Sequence, residues 1–515
     1  MPDRHIFARA LDGEALYFLP GGGQRGVGRA TIPAAVRSPM DAPQHVAAGQ
    51  ALIRLGLAGL FVSVPRLALR IEAHGLELDT RAPRTIYAIT HKRDPDTFVS
   101  PPILLSHRGW SSLIHDVRFI MRADAFQTGF LARLIERPDW LRRAIRPFSV
   151  GAVLRGAGVD AIEGFHSRPA ELWIRDAAAA YGDMPIATLL TPEALQELAQ
   201  ATGAEPAALG ARSSSALKAW RYAAALQIPT GSGILAGQAR RDADRRLIET
   251  ARAQLRAMTD WLNAGGSLFL APEGHLSTDG LLSPARAGLR LILNHAPPDT
   301  RIQPVAIMYD SLTTGRLRVI LDLAPPILEA QRIPSSQLDE RLRAAWLGAA
   351  RATCSQLATA ALVALHVRPG DTSDAKGHMT ELAAATHQLA LALSVTGQHV
   401  DAALLGVVGT RQRVARYLRN IARRRLGSLD CEGAYTIRRA ALPSRADAPD
   451  TLPDVPPGGV GYDLYPLRYA WNEAFEMLTA AGVQPAAASR AAYTAGELAD
   501  WPATRPFDFE EPKKA

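Results

Sequence analysis

Of the side chains here that can move a proton near neutral pH, His91 has the most suggestive neighbours. The run Thr90-His91-Lys92-Arg93-Asp94-Pro95-Asp96 follows directly on an apolar stretch, Thr85-Ile86-Tyr87-Ala88-Ile89. Asp94 before Pro95 is an N-cap and first-position pair, which predicts His91 on a strand-to-helix loop and Asp96 in the first helical turn. Asp96 can then hold one imidazole nitrogen while the other faces a substrate. A histidine so held is a competent general base toward an alcohol, because the carboxylate fixes the tautomer and stabilises the imidazolium as it forms. The spacing recurs at His74/Asp79 and His366/Asp371, so position must decide. His74 lies in the approach to the strand and His366 in a helical region. Only His91 stands where open α/β sheets put their sites. A second candidate is Ala271-Pro272-Glu273-Gly274-His275-Leu276-Ser277, again straight after an apolar run. A Glu between Pro and Gly suggests a fixed turn presenting a carboxylate to a cavity; the plainer alternative is an ordinary turn with a solvated Glu.

The elements that must position these groups read as α/β from about residue 71. Strands are expected at 85–89, 267–271, 301–307 and 316–323, with a helix over 240–263 stopped by Gly265-Gly266. Helix, glycine stop, buried strand and sharp turn come in the order of an αβ unit whose strand end carries the site. Residues 1–45 read as a loosely ordered leader with one short strand near 15–18. Residues 46–70 are the most apolar segment, yet Gln50, Arg54 and Pro65 interrupt it, which suits an interfacial helix or a core helix better than a spanning one. The main domain is expected over 46–328, with an inserted helical element at about 165–220. An Ala- and Leu-rich helical region at 329–442 (338–365, then 379–395, then a basic helix at 411–425), a Pro/Gly linker at 443–461 and terminal helices with a tail at 462–515 complete the chain. No internal repeat is visible.

Taken together, the two motifs resemble the glycerolipid acyltransferase family, which contains glycerol-3-phosphate and lysophosphatidate acyltransferases. Its first block is His-x4-Asp after a strand, matched by His91 and Asp96, and its third is a Pro-Glu-Gly turn, matched by Pro272, Glu273 and Gly274. The run Gly280-Leu281-Leu282-Ser283-Pro284-Ala285-Arg286-Ala287-Gly288 is similar to the family's segment after that turn. Gln303-Pro304-Val305-Ala306-Ile307 is similar to the fourth block, and Ala73-His74-Gly75-Leu76-Glu77 looks like the lead-in to the first strand. The resemblance covers about residues 46–325. For the second block, residues 148–158 resemble the approach, but the expected Arg is absent at 161–164. Gln227-Ile228-Pro229-Thr230 followed by Arg240-Arg241 offers a second Ile-Pro strand, with Arg240 or Arg241 as the phosphate-binding arginine or as the solvated start of a helix. A further departure stands after the Pro-Glu-Gly turn, where the family has Thr-Arg and this chain has His275-Leu276. Leu276 cannot hold an acceptor's phosphate through forked hydrogen bonds. His275, Arg286 or an arginine of the insert could replace it, or the acceptor could lack that phosphate.

The resemblance implies a mixed α/β sheet flanked by helices and transfer of a fatty acyl group from a thioester, acyl-CoA or acyl carrier protein, to a hydroxyl. By it, His91 removes the hydroxyl proton, Asp96 orients His91, and Glu273 and Gly274 with His275 position the acceptor, glycerol 3-phosphate or a lysophospholipid. No bound cofactor and no metal are implied. The alternatives are acyl transfer to a non-phosphate acceptor such as a lyso-aminolipid, and a catalytically silent lipid- or carrier-binding protein. Composition sets the outer bounds. At 515 residues, 47% hydrophobic and 21% charged, the chain is neither wholly disordered nor collagen-like. Its net charge of +8, carried mostly by Arg, suits anionic partners, including an anionic membrane face. Two cysteines, Cys354 and Cys431, exclude a disulfide framework, and residues 1–5 open into no signal-peptide core. A cytoplasmic protein touching the inner face of the membrane is expected. The 411–425 helix sets Val414, Leu418 and Ile421 on one side and Arg416, Arg419 and Arg423 on another, a pattern for anionic lipid, an acyl carrier protein or a solvated face. Nucleic acid is not expected, for no recognition module is visible and aromatics are 6%.

Overall fold

The computed structural model describes residues 69–93, 117–122, 151–156, 159–162, 168–218, 229–313, 315–453 and 461–485, with Gly56, Asp96, Ser100, Leu104, Phe126, Ala144, Ile145 and Ser149. The expected leader strand at 15–18 lies outside them. So does the 46–70 segment, apart from helical Gly56 and from Leu69 and Arg70, which open a strand. The chain divides into two compact units, one holding residues 160–258 and the other 259–515 together with the strands before residue 121.

The larger unit is built on a seven-stranded, mostly parallel mixed sheet. Its strands are β1 (Leu69–His74), β2 (Thr85–Ile89), β3 (Val117–Arg122), β4 (Val159–Ile162), β7 (Ser267–Leu270), β8 (Arg301–Asp310) and β9 (Leu317–Leu323); β5 (Arg168–Pro169) and β6 (Pro229–Thr230) form a separate ribbon. The order is β1-β9-β8-β2-β7-β3-β4, and only β8 and β9, joined by a short turn, are seen to pair antiparallel. Strand β2 runs parallel to both neighbours, β7 and β8, and is buried at every residue, which is why it reads as an unbroken apolar run. Alternation divides the sheet between two cores. Tyr87, Ile89, Phe269, Val305, Ile307, Val319 and Leu321 face one way. Ala306, Met308 and Ile320 face the other, into a cluster built by the C-terminal helices. Pro304 is tolerated in central β8 because its carbonyl accepts from Ala324 (3.1 Å) just beyond the last β8–β9 pair, Val305 with Leu323. The missing N–H therefore falls where β9 has ended. Gly75 turns the chain out of β1 in a left-handed conformation (φ 68°), and a Cβ there would come 2.7 Å from the Leu323 carbonyl oxygen.

The helices used below are α1 (Ala170–Tyr181), α2 (Pro192–Thr202), α3 (Gly237–Asn263), α4 (Ala287–His295), α5 (Ser335–Ala349), α6 (Cys354–His366), α7 (Met379–Val395), α8 (Val407–Arg423) and α9 (Pro466–Ala480). The stretch expected as one helix over 338–365 is two. Residues 350–353 leave the helix to bridge a neighbouring segment, with Ala352 bonded to His399 and Asp401. Helix α6 then restarts with Asp310 accepting the Ser355 N–H at 3.1 Å. It is buried from Cys354 to Leu365, mostly Ala and Leu, with its polar Ser355, Gln356 and Thr359 all hydrogen-bonded. Strands β10 (Ala375–His378), β11 (Gly427–Leu429) and β12 (Ala434–Ile437) form a small antiparallel sheet in the order β10-β12-β11. The described part of the expected linker is pinned to α9: Asn472 bonds Asp450 in both directions, and the Trp471 indole donates to Ala448. The apolar stripe of α8 is already spent, since Val414, Leu418 and Ile421 are buried in the unit's core. That stripe cannot also enter lipid.

The smaller unit carries the expected helical insertion and extends past it into α3. Trp173 and Ile174 of α1, Ile186, Leu189, Leu209, Leu235 and Leu247 form its own core. Helix α2 starts on Thr191, whose hydroxyl accepts the Ala194 N–H with Pro192 at the first position, and stops at left-handed Gly203. The second Ile-Pro strand does not join the main sheet. Pro229 and Thr230 pair with Arg168 and Pro169, a ribbon whose prolines suit an edge and not an interior, and the sheet position belongs instead to β4.

Candidate active site

Two loops, those that follow β2 and β7, meet beside the end of β8, and helix α9 lies against them. The first carries His91. Thr90 continues the pairing of β2 by donating its N–H to the Val305 carbonyl, and its side-chain hydroxyl accepts the Ile307 N–H, which fixes the next residue relative to the sheet. His91 then leaves the strand with its side chain 16% exposed. Its Nδ1 lies 3.4 Å from Asp96 Oδ2, at the long end of hydrogen-bond range. Its Nε2 has no partner among the described residues.

Asp96 is helical and fully buried, and it is held more tightly than His91 alone would hold it. Oδ2 accepts the backbone N–H groups of Lys92 (2.6 Å) and Arg93 (2.7 Å), and Oδ1 accepts the hydroxyl of Tyr309 from the end of β8. Burial, and then the Asp96 charge, push the Tyr309 phenol well above its ordinary range, so it remains a donor to the carboxylate. Asp94 and Pro95, expected as the cap of this helix, lie outside the described residues.

The second loop is the turn after β7. Gly274 donates its N–H to Ala271 and is left-handed (φ 69°), the conformation that a glycine after Glu273 supplies without strain. Glu273 does not face a cavity. It is fully buried, with Oε1 accepting the His91 N–H (3.1 Å) and Oε2 the Ser283 N–H (2.8 Å). Burial raises its pKa, and the nearby Lys92 charge and those two N–H donors pull it back. Its carboxylate thus fastens the His91 loop to the 277–283 loop, aided by the Ser277 N–H donated to the His91 carbonyl (2.8 Å). His275 is half-buried; its Nδ1 is 2.8 Å from the Glu273 carbonyl and its Nε2 3.4 Å from the Ser283 hydroxyl. Arg286 lies against Gly274 and donates Nε–H to the Glu273 carbonyl at 3.0 Å. Leu276 is half-buried.

The third contribution comes from α9 and the turn before it, which no local pattern connects with His91. Lys92 is buried, donates to the Gly280 carbonyl (2.7 Å) and faces Glu473 at 3.6 Å; Glu473 also accepts from Gln356 (2.8 Å). Glu476 accepts the Leu282 N–H (2.9 Å) and pairs with Arg343. Asn472 donates to Asp279 (2.9 Å), and Tyr469 reaches the Lys92 carbonyl at 3.4 Å. Lys92 and Arg93 stand inside the first motif; Tyr309 lies two residues past the strand expected at 301–307, in the stretch by which β8 exceeds it. Glu473, Glu476 and Tyr462 lie nearly 400 residues on, with no motif of their own.

His91, Asp96, Glu273, Gly274 and His275 are therefore together in one unit. Arg240 and Arg241 belong to the other, exposed on α3, where Arg240 approaches Asp244 (3.9 Å) and Arg241 donates to Gln238 (2.8 and 3.0 Å). The competing pairs have other duties: Asp79 accepts from Tyr87 and from the Arg81 N–H, and His366 bonds Tyr435. Among the described residues no group of three His, Cys, Asp or Glu could hold a metal ion, and no helix is long and apolar enough to cross a membrane. No protein-family model matches the chain, and no curated protein matches it.

Proposed function

We propose that this chain is an O-acyltransferase of the kind its motifs resemble, moving a fatty acyl group from acyl-CoA or an acyl carrier protein to a hydroxyl of glycerol 3-phosphate or a lysophospholipid. One observation carries the reading: His91 stands at the end of a central parallel strand, its Nδ1 toward a buried, immobilised carboxylate and its Nε2 without a partner among the described residues. In the reaction His91 Nε2 takes the proton of the acceptor hydroxyl as its oxygen bonds to the thioester carbonyl carbon. The tetrahedral adduct then breaks its C–S bond, and the thiolate leaves with the proton returned by the imidazolium. Asp96 stabilises that imidazolium, and holding both reactants supplies the remaining advantage without an acyl-enzyme. Glu273 acts by fixing the loops, while Gly274, His275 and Arg286 border the acceptor. The proposed setting is the inner face of a membrane, touched by the basic surface.

Leu276 favours a second reading, transfer to an acceptor without a phosphate at that place, such as a lyso-aminolipid. Purified protein given labelled acyl thioester and a panel of acceptors, glycerol 3-phosphate, lysophosphatidate, other lysophospholipids and a lyso-aminolipid, decides between them. Transfer to one acceptor, lost in His91→Ala, supports the proposal. Failure with every acceptor and both donors would overturn it in favour of a silent lipid- or carrier-binding protein.

A further inference from the structure

Arg93, two residues from His91, is a charged group in a place where charge should be expensive. It is 7% exposed. Its guanidinium lies against two aromatic rings, with Cζ 3.8 Å from the Tyr462 centroid and 4.6 Å from that of Tyr309. Its Nε is buried with no hydrogen-bond partner, and its terminal nitrogens bond no described residue. Asp96, whose carboxylate accepts the Arg93 backbone N–H, is already committed to that group, to the Lys92 N–H and to the Tyr309 hydroxyl. A guanidinium stays protonated at any physiological pH. Burying it with no side-chain hydrogen bond to any described residue is costly, a state that native proteins rarely leave uncompensated. The two rings return only part of that through their attraction for the cation. Neither ring gives its N–H groups a hydrogen-bond acceptor, and those groups form the fork that fits an oxyanion.

Arg424, just past α8, adds a second positive charge nearby: burial chiefly, and then Arg93, lower its pKa, with Asp463 opposing. Two guanidiniums near one exposed carboxylate suit a doubly charged anion better than a carboxylate. We propose that the guanidinium fork of Arg93, held against Tyr309 and Tyr462, binds a phosphate group beside His91, with Arg424 as the second cation. The binding itself is independent of the acyl-transfer reading; that reading is needed only to say whose phosphate it is, the acceptor's or the donor's. On it, Arg93 does for this chain what Leu276 cannot.

The test uses the full chain and four probes, inorganic phosphate, glycerol 3-phosphate, glycerol and coenzyme A, with binding followed by calorimetry and by the thermal midpoint. Wild type should bind the phosphate-bearing probes and ignore glycerol. Arg93→Gln should weaken that binding at least 10-fold, Arg93→Lys, which keeps charge but loses the fork, by roughly 10-fold, and Arg424→Gln less. Without ligand, Arg93→Gln should be as stable as wild type or more so, since it removes a buried charge whose side chain has no hydrogen bond to any described residue. Tighter binding of glycerol 3-phosphate than of coenzyme A assigns the site to the acceptor, and the reverse order to the donor. Phosphate binding that survives Arg93→Gln, or a variant made markedly less stable without ligand, would overturn the proposal. Loss of phosphate binding in a protein that transfers no acyl group would uphold it and sink the acyl-transfer reading instead.

Discussion

Glu273 separates two accounts of the Pro-Glu-Gly turn. Were its carboxylate the group that grips the acceptor, Glu273→Gln would raise KM for the acceptor and leave the fold alone. The observed contacts predict otherwise. Both oxygens are spent on backbone N–H groups, of His91 at 3.1 Å and Ser283 at 2.8 Å, and the side chain is fully buried. An unsatisfied N–H in such a place costs about 1–3 kcal/mol. Alanine abandons both donors and leaves a cavity, so Glu273→Ala should lose about 2–6 kcal/mol. Glutamine keeps one acceptor and sets its own amide against the other N–H, so it should lose about 1–3 kcal/mol. Because His91 is what the bond positions, and misplacement by about 1 Å can cost about 100-fold, kcat in Glu273→Gln should drop by roughly 10- to 100-fold with acceptor KM within about twofold. Denaturant unfolding followed by tryptophan fluorescence, to which buried Trp346 and Trp471 of this unit contribute, gives the first quantity; initial rates against acceptor concentration give the second. A Gln variant as stable as wild type, whose acceptor KM rises 10-fold or more, would refute the reasoning.

Three further outcomes rest on the same contacts. Asp96→Asn should lower kcat by about 10²–10⁴-fold, because the neutral amide cannot stabilise the imidazolium; it should also cost about 1–3 kcal/mol of stability, since one of the groups around the buried carboxylate loses its partner. Lys92→Met should cost about 3–5 kcal/mol by stranding buried Glu473. The double variant Lys92→Met/Glu473→Gln should cost less than the two singles together, and a double-mutant cycle of unfolding free energies reads the difference. Asp322, at the end of β9, is raised to about 6 from 3.8, because burial outweighs the charge and hydrogen bond of Arg351 at 3.4 Å. The folded chain therefore binds this proton more tightly than the unfolded one. The contribution is fully present below about pH 4 and is lost as pH rises through about 6, a decline of about 3 kcal/mol. Asp322→Asn should remove that share of the slope between about pH 4 and 6.5 in denaturant titrations; an unchanged slope would discard the assignment.

The sequence and the fold agree most closely where one element decides its own form. Strand β2 reads as an apolar run behind Thr85 because it is buried at every position, inside the sheet between β7 and β8, and those two strands are legible for the same reason. Gly274 and the turn it makes were legible too, since few residues suit that backbone. What Glu273 does was not, because a Glu between Pro and Gly is equally consistent with a carboxylate turned outward and one turned inward. Only the partner loops decide, and Ser283 lies 10 residues away while His91 is 182 distant. The break between α5 and α6 was hidden because Ala350 and Ala352 are good helix formers, and the pairing with 399–401 overrides them. Arg240 and Arg241 stood at a plausible distance before the turn, yet the chain enters a second core between them and β4. The role of α9 had no local signal at all. Its Glu473, Glu476 and Asn472 read as an ordinary polar face, and they are polar because Lys92 and the 279–282 loop lie against them.

The central claim is that His91 Nε2 is the base of an acyl transfer, and the most direct measurement is the rate of labelled acyl transfer from thioester to the preferred acceptor in wild type and His91→Ala. The account predicts measurable turnover in wild type and a loss of at least about 10²-fold in the variant, with its unfolding midpoint little changed, because the His91 side chain makes a single long contact. Transfer that persists undiminished in a well-folded His91→Ala protein would contradict it.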